Sequence, residues 1–486
     1  MSQYLKKFIA IIVLLCVFVS MNILSIIALT FSNEGYRGYN TSEWHHRYIN
    51  TQEAWDLLDT YVPNNEPVKI AAVDCGCDPN NSDIQANLDE EHNVAIKPDG
   101  TFVNARTLYP GIDYPKSYHG TVLAAVVGAE SNNNYGVAGV ASGNKNNLIK
   151  IMSINVQTDN IHGFVNSKKK KRNTTTDNII KGMQYAAKHG ARVILMCLGH
   201  DETYKDSNNK KFNFKKIQKA IEDILDENKN IIMIASAGNN GNEKTWYMGD
   251  YKRVVSVINS SNFTNIYSKS TKTPSSNYGK KKSICAPGNN IYSWDLSHPE
   301  PSSHGGTTTA SAVAAGVAAM TIYANPKLNG EDVKKILCDG AIDLYKEGFD
   351  KYTAYGNVNA YNSVLLALQK QGLAIGEKLK KEVIDADMVP VNISSKVSGK
   401  NITLKWNKSD SALGNINQYR VYVKTSSNGK FSKVKTLSAG TTKYIYKASK
   451  TNTTYQFKIK PYGTSYDGKM LIPEDNGDSS IIKVRL

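Results

Sequence analysis

Residues 310–320 read ASAVAAGVAAM, an unbroken run of small and apolar side chains, and Gly305-Gly306-Thr307-Thr308-Thr309 stands directly before it. With no charged face and many small residues, such a run packs as a buried helix, so the parts of the chain have to come together around it. A hydroxyl side chain at the tight opening of that helix is held by backbone geometry and exposed at one end, near the positive pole. Thr308 occupies that position.

Upstream of this stretch, β-prone runs alternate with helical ones. Val68-Lys69-Ile70-Ala71-Ala72-Val73, residues 149–154, 193–199, 231–235 and 254–258 read as strands. Residues 122–129 and 173–189 read as helices, and so does the stretch carrying Ile217, Ala220, Ile221, Ile224 and Leu225. The alternation predicts an α/β fold with a mostly parallel sheet covered by helices on both faces. At 486 residues the chain is long enough for one large domain of this kind and a smaller one.

Three short segments carry chemistry. Asp74 closes the first strand, where open α/β sheets place ligands, although an Asp there is equally a turn or helix cap. His119-Gly120-Thr121 opens a helix of small residues, and a lone His at that point would be an ordinary core or cap residue. Ser236-Ala237-Gly238-Asn239 follows a strand; its Asn amide can donate to a developing oxyanion, or the letters can be a turn.

Taken together and in this order, the Asp74, His119 and Thr308 segments resemble those of the subtilisin-like serine peptidases. The resemblance runs from Trp44 to about Tyr361, through Ala286-Pro287-Gly288 and the closing Tyr355-Gly356-Asn357-Val358-Asn359-Ala360. It implies a general base at His119, an orienting carboxylate at Asp74, an oxyanion donor at Asn239 and a nucleophile at Thr308. It also implies a protein or peptide substrate held along Cys197-Leu198-Gly199 and Ala237-Gly238. No cofactor is expected, and a structural calcium is implied by the family alone, with no site assigned.

The chain departs from the family at the nucleophile, where Gly-Thr-Ser-x-Ala becomes Gly306-Thr307-Thr308-Thr309-Ala310. Ala312 and Val313 replace the Pro and His that commonly follow, Val122 replaces the second His of His-Gly-Thr-His, and Leu195 and Cys197 replace Asn and Ser. Thr308 keeps a hydroxyl but adds a methyl and a preferred χ1, and small misplacements of an attacking oxygen cost on the order of 10²-fold. Ser311, a turn further along, and Ser303, in the preceding loop, are not obvious substitutes. The arm before Val68 is too short for the inhibitory propeptide domain that secreted members often carry. Two readings stand: a weak endopeptidase and a catalytically inactive binding or regulatory protein. Intact Asp74, His119 and Asn239 favour the enzyme.

Charge and hydropathy address location. The formal charge of +16 is spread along the chain, which suits an anionic membrane or wall polymer and, without a zinc finger, helix-turn-helix or aromatic RNA-binding pattern, not nucleic acid. The basic run Lys168–Arg172 reads as a solvated loop. Lys6 and Lys7 precede an apolar run from Phe8 to Phe31 that spans a bilayer at helical rise and lacks a good cleavage site, so residues 1–31 are expected to anchor the rest outside the cell. If cleaved, the same segment is a secretion signal. Six cysteines are too few for a disulfide scaffold, and Cys75 and Cys77 read as small buried thiols, with no metal site expected. His45 and His46 read as surface packing in an N-terminal arm.

The period changes near the C-terminus. A peptidase-like domain over 42–361 and a helix with a charged linker over 362–389 are followed by alternating runs at 402–406, 419–423, 443–446 and 454–460. Trp406, Tyr419-Arg420-Val421-Tyr422 and Thr454-Tyr455-Gln456-Phe457 resemble a fibronectin type III domain over 390–486, an all-β sandwich with Tyr455 as its tyrosine-corner residue.

Overall fold

The computed structural model describes residues 44–97, 99–108, 118–133, 135–157, 174–205, 210–260, 275–294, 301–344, 348–379, 393–409, 414–425, 431–465, 470–471 and 481–486. The apolar run before Phe31, the basic run at 168–172 and residues 380–389 of the expected helix and linker lie outside the described residues.

Eight strands build the main sheet: β1 (Val68–Asp74), β2 (Val94–Ile96), β3 (Phe102–Asn104), β4 (Ile149–Asn155), β5 (Val193–Met196), β6 (Ile232–Ser236), β7 (Val255–Asn259) and β8 (Ile284–Ala286). Their order is β3-β2-β4-β1-β5-β6-β7-β8, parallel throughout except for β2 against β3. β1 lies centrally, paired with β4 on one side and β5 on the other. After β4 the chain therefore crosses β1 to continue on its far side, and the carboxyl end of β1 opens onto the crevice such a crossing leaves.

The period-2 alternation of β1 explains the layering. Val68 and Ile70 join the core under the helices Tyr118–Gly128, Thr307–Ala324 and Ala360–Lys370, while Ala71 and Val73 face the helices Thr176–Lys188 and Phe214–Glu227. The two covering helices on the second face are amphipathic and capped by side chains: Thr175 accepts from Asn178 N–H and Asn213 from Lys216 N–H. Thr307–Ala324 is of another kind. It is long and apolar enough to cross a membrane, but 94% of it is buried inside the protein, which makes it the central core helix.

Several boundaries differ from those expected. β5 stops at Met196, where its partner β1 turns at Asp74, so Cys197-Leu198-Gly199 leave the sheet as a loop. Ser303 lies on a short antiparallel pair, β9 (Ile291–Ser293) with β10 (Ser302–His304), and not in a loop. His45 and His46 are not surface residues. Both are buried, His46 Nε2 pairs with the Ala138 carbonyl at 3.0 Å, and burial pushes the His46 ring down to about 4. The aromatic arm is therefore part of the core.

The C-terminal residues form antiparallel sheets only. β11 (Ser394–Ser398), β12 (Asn401–Lys405) and β15 (Lys443–Lys447) make one, in the order β11-β12-β15. The other joins β13 (Gly414–Lys424), β14 (Ser432–Ser438), β16 (Thr454–Ser465), β17 (Met470–Leu471) and β18 (Ile481–Arg485). Ile402, Leu404, Trp406, Tyr419, Val421, Tyr455, Phe457 and Ile459 pack together as their core. The Tyr455 hydroxyl accepts from Lys450 N–H at 2.9 Å and donates to the Lys450 carbonyl at 3.1 Å.

Candidate active site

Asp74 ends β1 with its side chain 1% exposed, and its Oδ1 accepts the N–H of Cys75 at 2.8 Å. The next turn brings the chain against the helix Tyr118–Gly128. A Cβ on Gly120 would lie 2.0 Å from the Gly76 carbonyl oxygen, so only glycine permits the approach. That contact seats His119 over the strand end, where its Nδ1 meets Asp74 Oδ1 at 2.7 Å. The ring edge is 31% exposed, while the carboxylate is sealed.

Electrostatics follow from this geometry. The Asp74 carboxylate holds the His119 ring well above its ordinary value, against the opposing effect of burial. Burial pushes Asp74 up, but the His119 ring and the Cys75 N–H outweigh it, leaving the carboxyl below its usual range.

Thr308 lies in the first turn of the central helix and is partly exposed. Gly306 caps that helix at φ 119°, a conformation that favours glycine, and a Cβ there would come within 3.3 Å of the Asn239 amide. Asn239 is anchored from the same turn. Its Oδ1 accepts the Thr307 N–H at 2.9 Å and the Thr307 hydroxyl at 3.0 Å, and the Thr307 hydroxyl in turn accepts the Gly238 N–H at 3.1 Å. A backbone N–H donates to only one end of an amide, so the Asn239 NH2 is the group left to face the cleft. Asn239 is exposed, as an oxyanion donor must be. No hydrogen bond joins the Thr308 hydroxyl to His119 among the described residues. Ser311 is fully buried and donates to the Thr307 carbonyl at 2.7 Å, which removes it as a nucleophile.

The two glycine-bearing segments named from the sequence, Cys197-Leu198-Gly199 and Ala237-Gly238, both approach the start of the central helix: Cys197 reaches the Thr308 carbonyl and Gly238 the Thr307 hydroxyl. Cys197 turns its thiol toward the Thr308 carbonyl at 3.8 Å, and burial raises that thiol well above its usual value. A residue that sequence reasoning missed sits between the segments. A Cβ on Gly199 would lie 2.3 Å from Trp246 Nε1, and one on Gly238 would lie 2.5 Å from Trp246 Cδ2, so the indole ring packs against both glycines. Its backbone is tied to Asp250, which accepts the Trp246 N–H at 2.8 Å and is itself held by the buried Lys282. No periodicity or motif around Trp246 signals this placement.

For a structural calcium, Asp83 is the buried carboxylate to test. Its oxygens already accept the Val137 N–H at 2.9 Å, Trp294 Nε1 at 2.5 Å and Asn133 Nδ2 at 2.9 Å. Three converging N–H donors occupy the space a cation would need, so these residues do not fit calcium.

The order Asp, His, hydroxyl residue on the carboxyl edge of this sheet coincides with a family match: the subtilase family, Peptidase_S8, covers residues 65–362. The chain belongs to the subtilase family. Among its relatives, the thermophilic serine proteinase of Bacillus sp. (strain AK1) is 26% identical over 69% of this chain and 70% of its own length. Thermitase of Thermoactinomyces vulgaris is 26% identical over 67% of this chain and 97% of its own. A calcium-dependent protease of Nostoc sp. is 26% identical over 67% of this chain and 49% of its own. This subtilase thus carries the α/β domain of the family, with all-β sheets after it.

Proposed function

We propose that this subtilase is a serine-type endopeptidase that uses Thr308 as its nucleophile, weakly compared with a serine version. The reading rests above all on the 2.7 Å contact of His119 Nδ1 with Asp74 Oδ1, which leaves Nε2 for a hydroxyl proton. Asn239, oriented by Thr307, stabilises the oxyanion of the tetrahedral intermediate, and Cys197-Leu198-Gly199 with Ala237-Gly238 hold the substrate backbone. The rival reading, an inactive protein that binds peptides or a regulatory partner, is favoured by the unmade hydrogen bond between His119 and Thr308, although such bonds are often long before substrate binds.

A hydroxyl-directed fluorophosphonate probe separates the two. The enzyme reading expects label on Thr308, lost with His119→Ala and with Thr308→Ala, and slow hydrolysis of an unfolded protein. A folded wild type without label, beside a labelled Thr308→Ser variant, would establish the rival.

The remaining assignments belong to the same reading. Residues 42–361 act as the peptidase unit and 390–486 as a separate fibronectin type III-like module, supported by the Tyr455 hydroxyl bonding to the backbone of Lys450. Limited proteolysis is expected to cut near 372–389 and leave two compact fragments. The protein works outside the cytoplasm, held to the membrane by residues 1–31, with an anionic surface polymer as a second partner. Protease shaving of intact cells that spares the C-terminus would reject this location.

A further inference from the structure

Asp74, Cys75 and His119 each offer a ligand atom, and those atoms all lie within 4.8 Å of one another. In the sequence, Cys75 had no partner at metal-site spacing, because His119 stands more than forty residues away. The fold supplies it. A carboxylate, a thiol and an imidazole converging on one point form a donor set suited to zinc and to similar thiophilic divalent cations.

Two further observations point to a ligand there. Asp74 Oδ2 is buried and has no hydrogen-bond partner, although the residue is only 1% exposed. A buried carboxylate oxygen with nothing donating to it is costly and open to a cation. The Cys75 sulfur accepts the Gly120 N–H at 3.3 Å, which fixes it beside the Asp74–His119 pair. Cys77 differs: it packs in the hydrophobic core and takes no part in the cluster.

We infer that Asp74, Cys75 and His119 form a binding site for a zinc-like divalent cation that shuts the catalytic centre. Metal–ligand bonds of about 2.0–2.3 Å set tetrahedral donors roughly 3.5 Å apart. The Asp74–His119 contact therefore opens from 2.7 Å while the sulfur closes in, and the partly exposed His119 ring is the element able to move. On binding, the Cys75 thiol loses its proton to solvent. The His119 Nδ1 proton goes to solvent from the charged ring, or is replaced by one on Nε2 in the neutral ring, so the bound imidazole carries its proton on Nε2; water fills the fourth position. No electron transfer is involved. With Nδ1 on the metal and the proton on Nε2, His119 cannot take a hydroxyl proton, and Asp74 no longer orients the ring, so metal binding and general-base chemistry exclude each other. The site does not depend on whether Thr308 is competent.

Cobalt(II) is the probe, added alone to the full-length purified protein. The expected result is one equivalent bound, with a thiolate-to-cobalt charge-transfer band in the near ultraviolet and tetrahedral d–d bands in the visible, all displaced by zinc. Cys75→Ser should abolish the charge-transfer band and weaken zinc binding by more than the roughly 10–100-fold that loss of an outer-shell partner costs. Cys77→Ser and Thr308→Ala should keep the band. His119→Ala, at a partly exposed position that leaves the core intact, should weaken binding comparably and serves as the second variant if Cys75→Ser does not fold. A wild type without the charge-transfer band, or a band that survives Cys75→Ser or His119→Ala unchanged, overturns the site.

Discussion

Asn239 and Thr307 are joined twice, since both the backbone N–H and the hydroxyl of Thr307 donate to the one amide oxygen of Asn239. Thr307 thereby determines which way the Asn239 amide points. Asn239→Ala is expected to lower turnover by roughly 10²–10³-fold with an unchanged thermal midpoint. Thr307→Val, which removes one of the two bonds, should cost less. Steady-state kinetics beside thermal melts would check both, and a melt shifted in step with the rate would assign Asn239 to structure.

The raised His119 ring sets the direction of the pH dependence. A general base works only when neutral, so kcat/KM should climb with pH through an apparent pKa above the ordinary 6.5. The stability linkage has the opposite sign: the His119–Asp74 pair contributes fully below the unfolded value of 6.5 and its contribution is lost as pH rises through the folded value. Asp74→Asn should move the ascending limb to lower pH and reduce kcat by about 10⁴-fold. A limb that does not move on this substitution would uncouple the two residues.

Trp246 fills the space between Gly199 and Gly238, so the cleft should accept small substrate side chains best. Trp246→Ala is expected to raise kcat/KM for peptides with a bulky residue before the scissile bond relative to those with alanine. A ratio unchanged by the substitution would remove Trp246 from the specificity wall. Where catalysis is too slow to follow, affinities for peptides ending in alanine or phenylalanine give the same comparison.

The loop that carries Trp246 is held by a buried ion pair, with Lys282 and Asp250 side chains 1% and 3% exposed. Lys282→Met leaves Asp250 buried without its cation and should destabilise the peptidase unit by about 3–5 kcal/mol. Chemical denaturation measures this directly. A loss under about 1 kcal/mol would mean that the pair is solvated in solution.

Much of this architecture was legible in local patterns. The β-prone apolar run Val68–Val73 and the amphipathic helices Thr176–Lys188 and Phe214–Glu227 are written in local composition and side-chain periodicity, which depend only on near neighbours. Asp74, His119 and Asn239 were readable because each sits where a strand ends or a helix begins, and short motifs mark such junctions. Errors fell where burial depends on distant segments. His45 and His46 looked like surface residues because nothing within their own stretch reveals the Ala138 carbonyl and Val140 region that cover them and Trp55.

By itself, then, the sequence determined the α/β layering, the identity of the hydroxyl residue at the central helix and the order Asp74, His119, Thr308. Only the tertiary structure decided that Thr307 orients Asn239, that Trp246 packs between Gly199 and Gly238, that N–H donors fill the Asp83 carboxylate and that Cys75 joins the Asp74–His119 pair. Periodicity describes which face of an element is apolar. Which side chains meet across loops of tens of residues depends on how those faces pack, and that information is shared among all the elements at once.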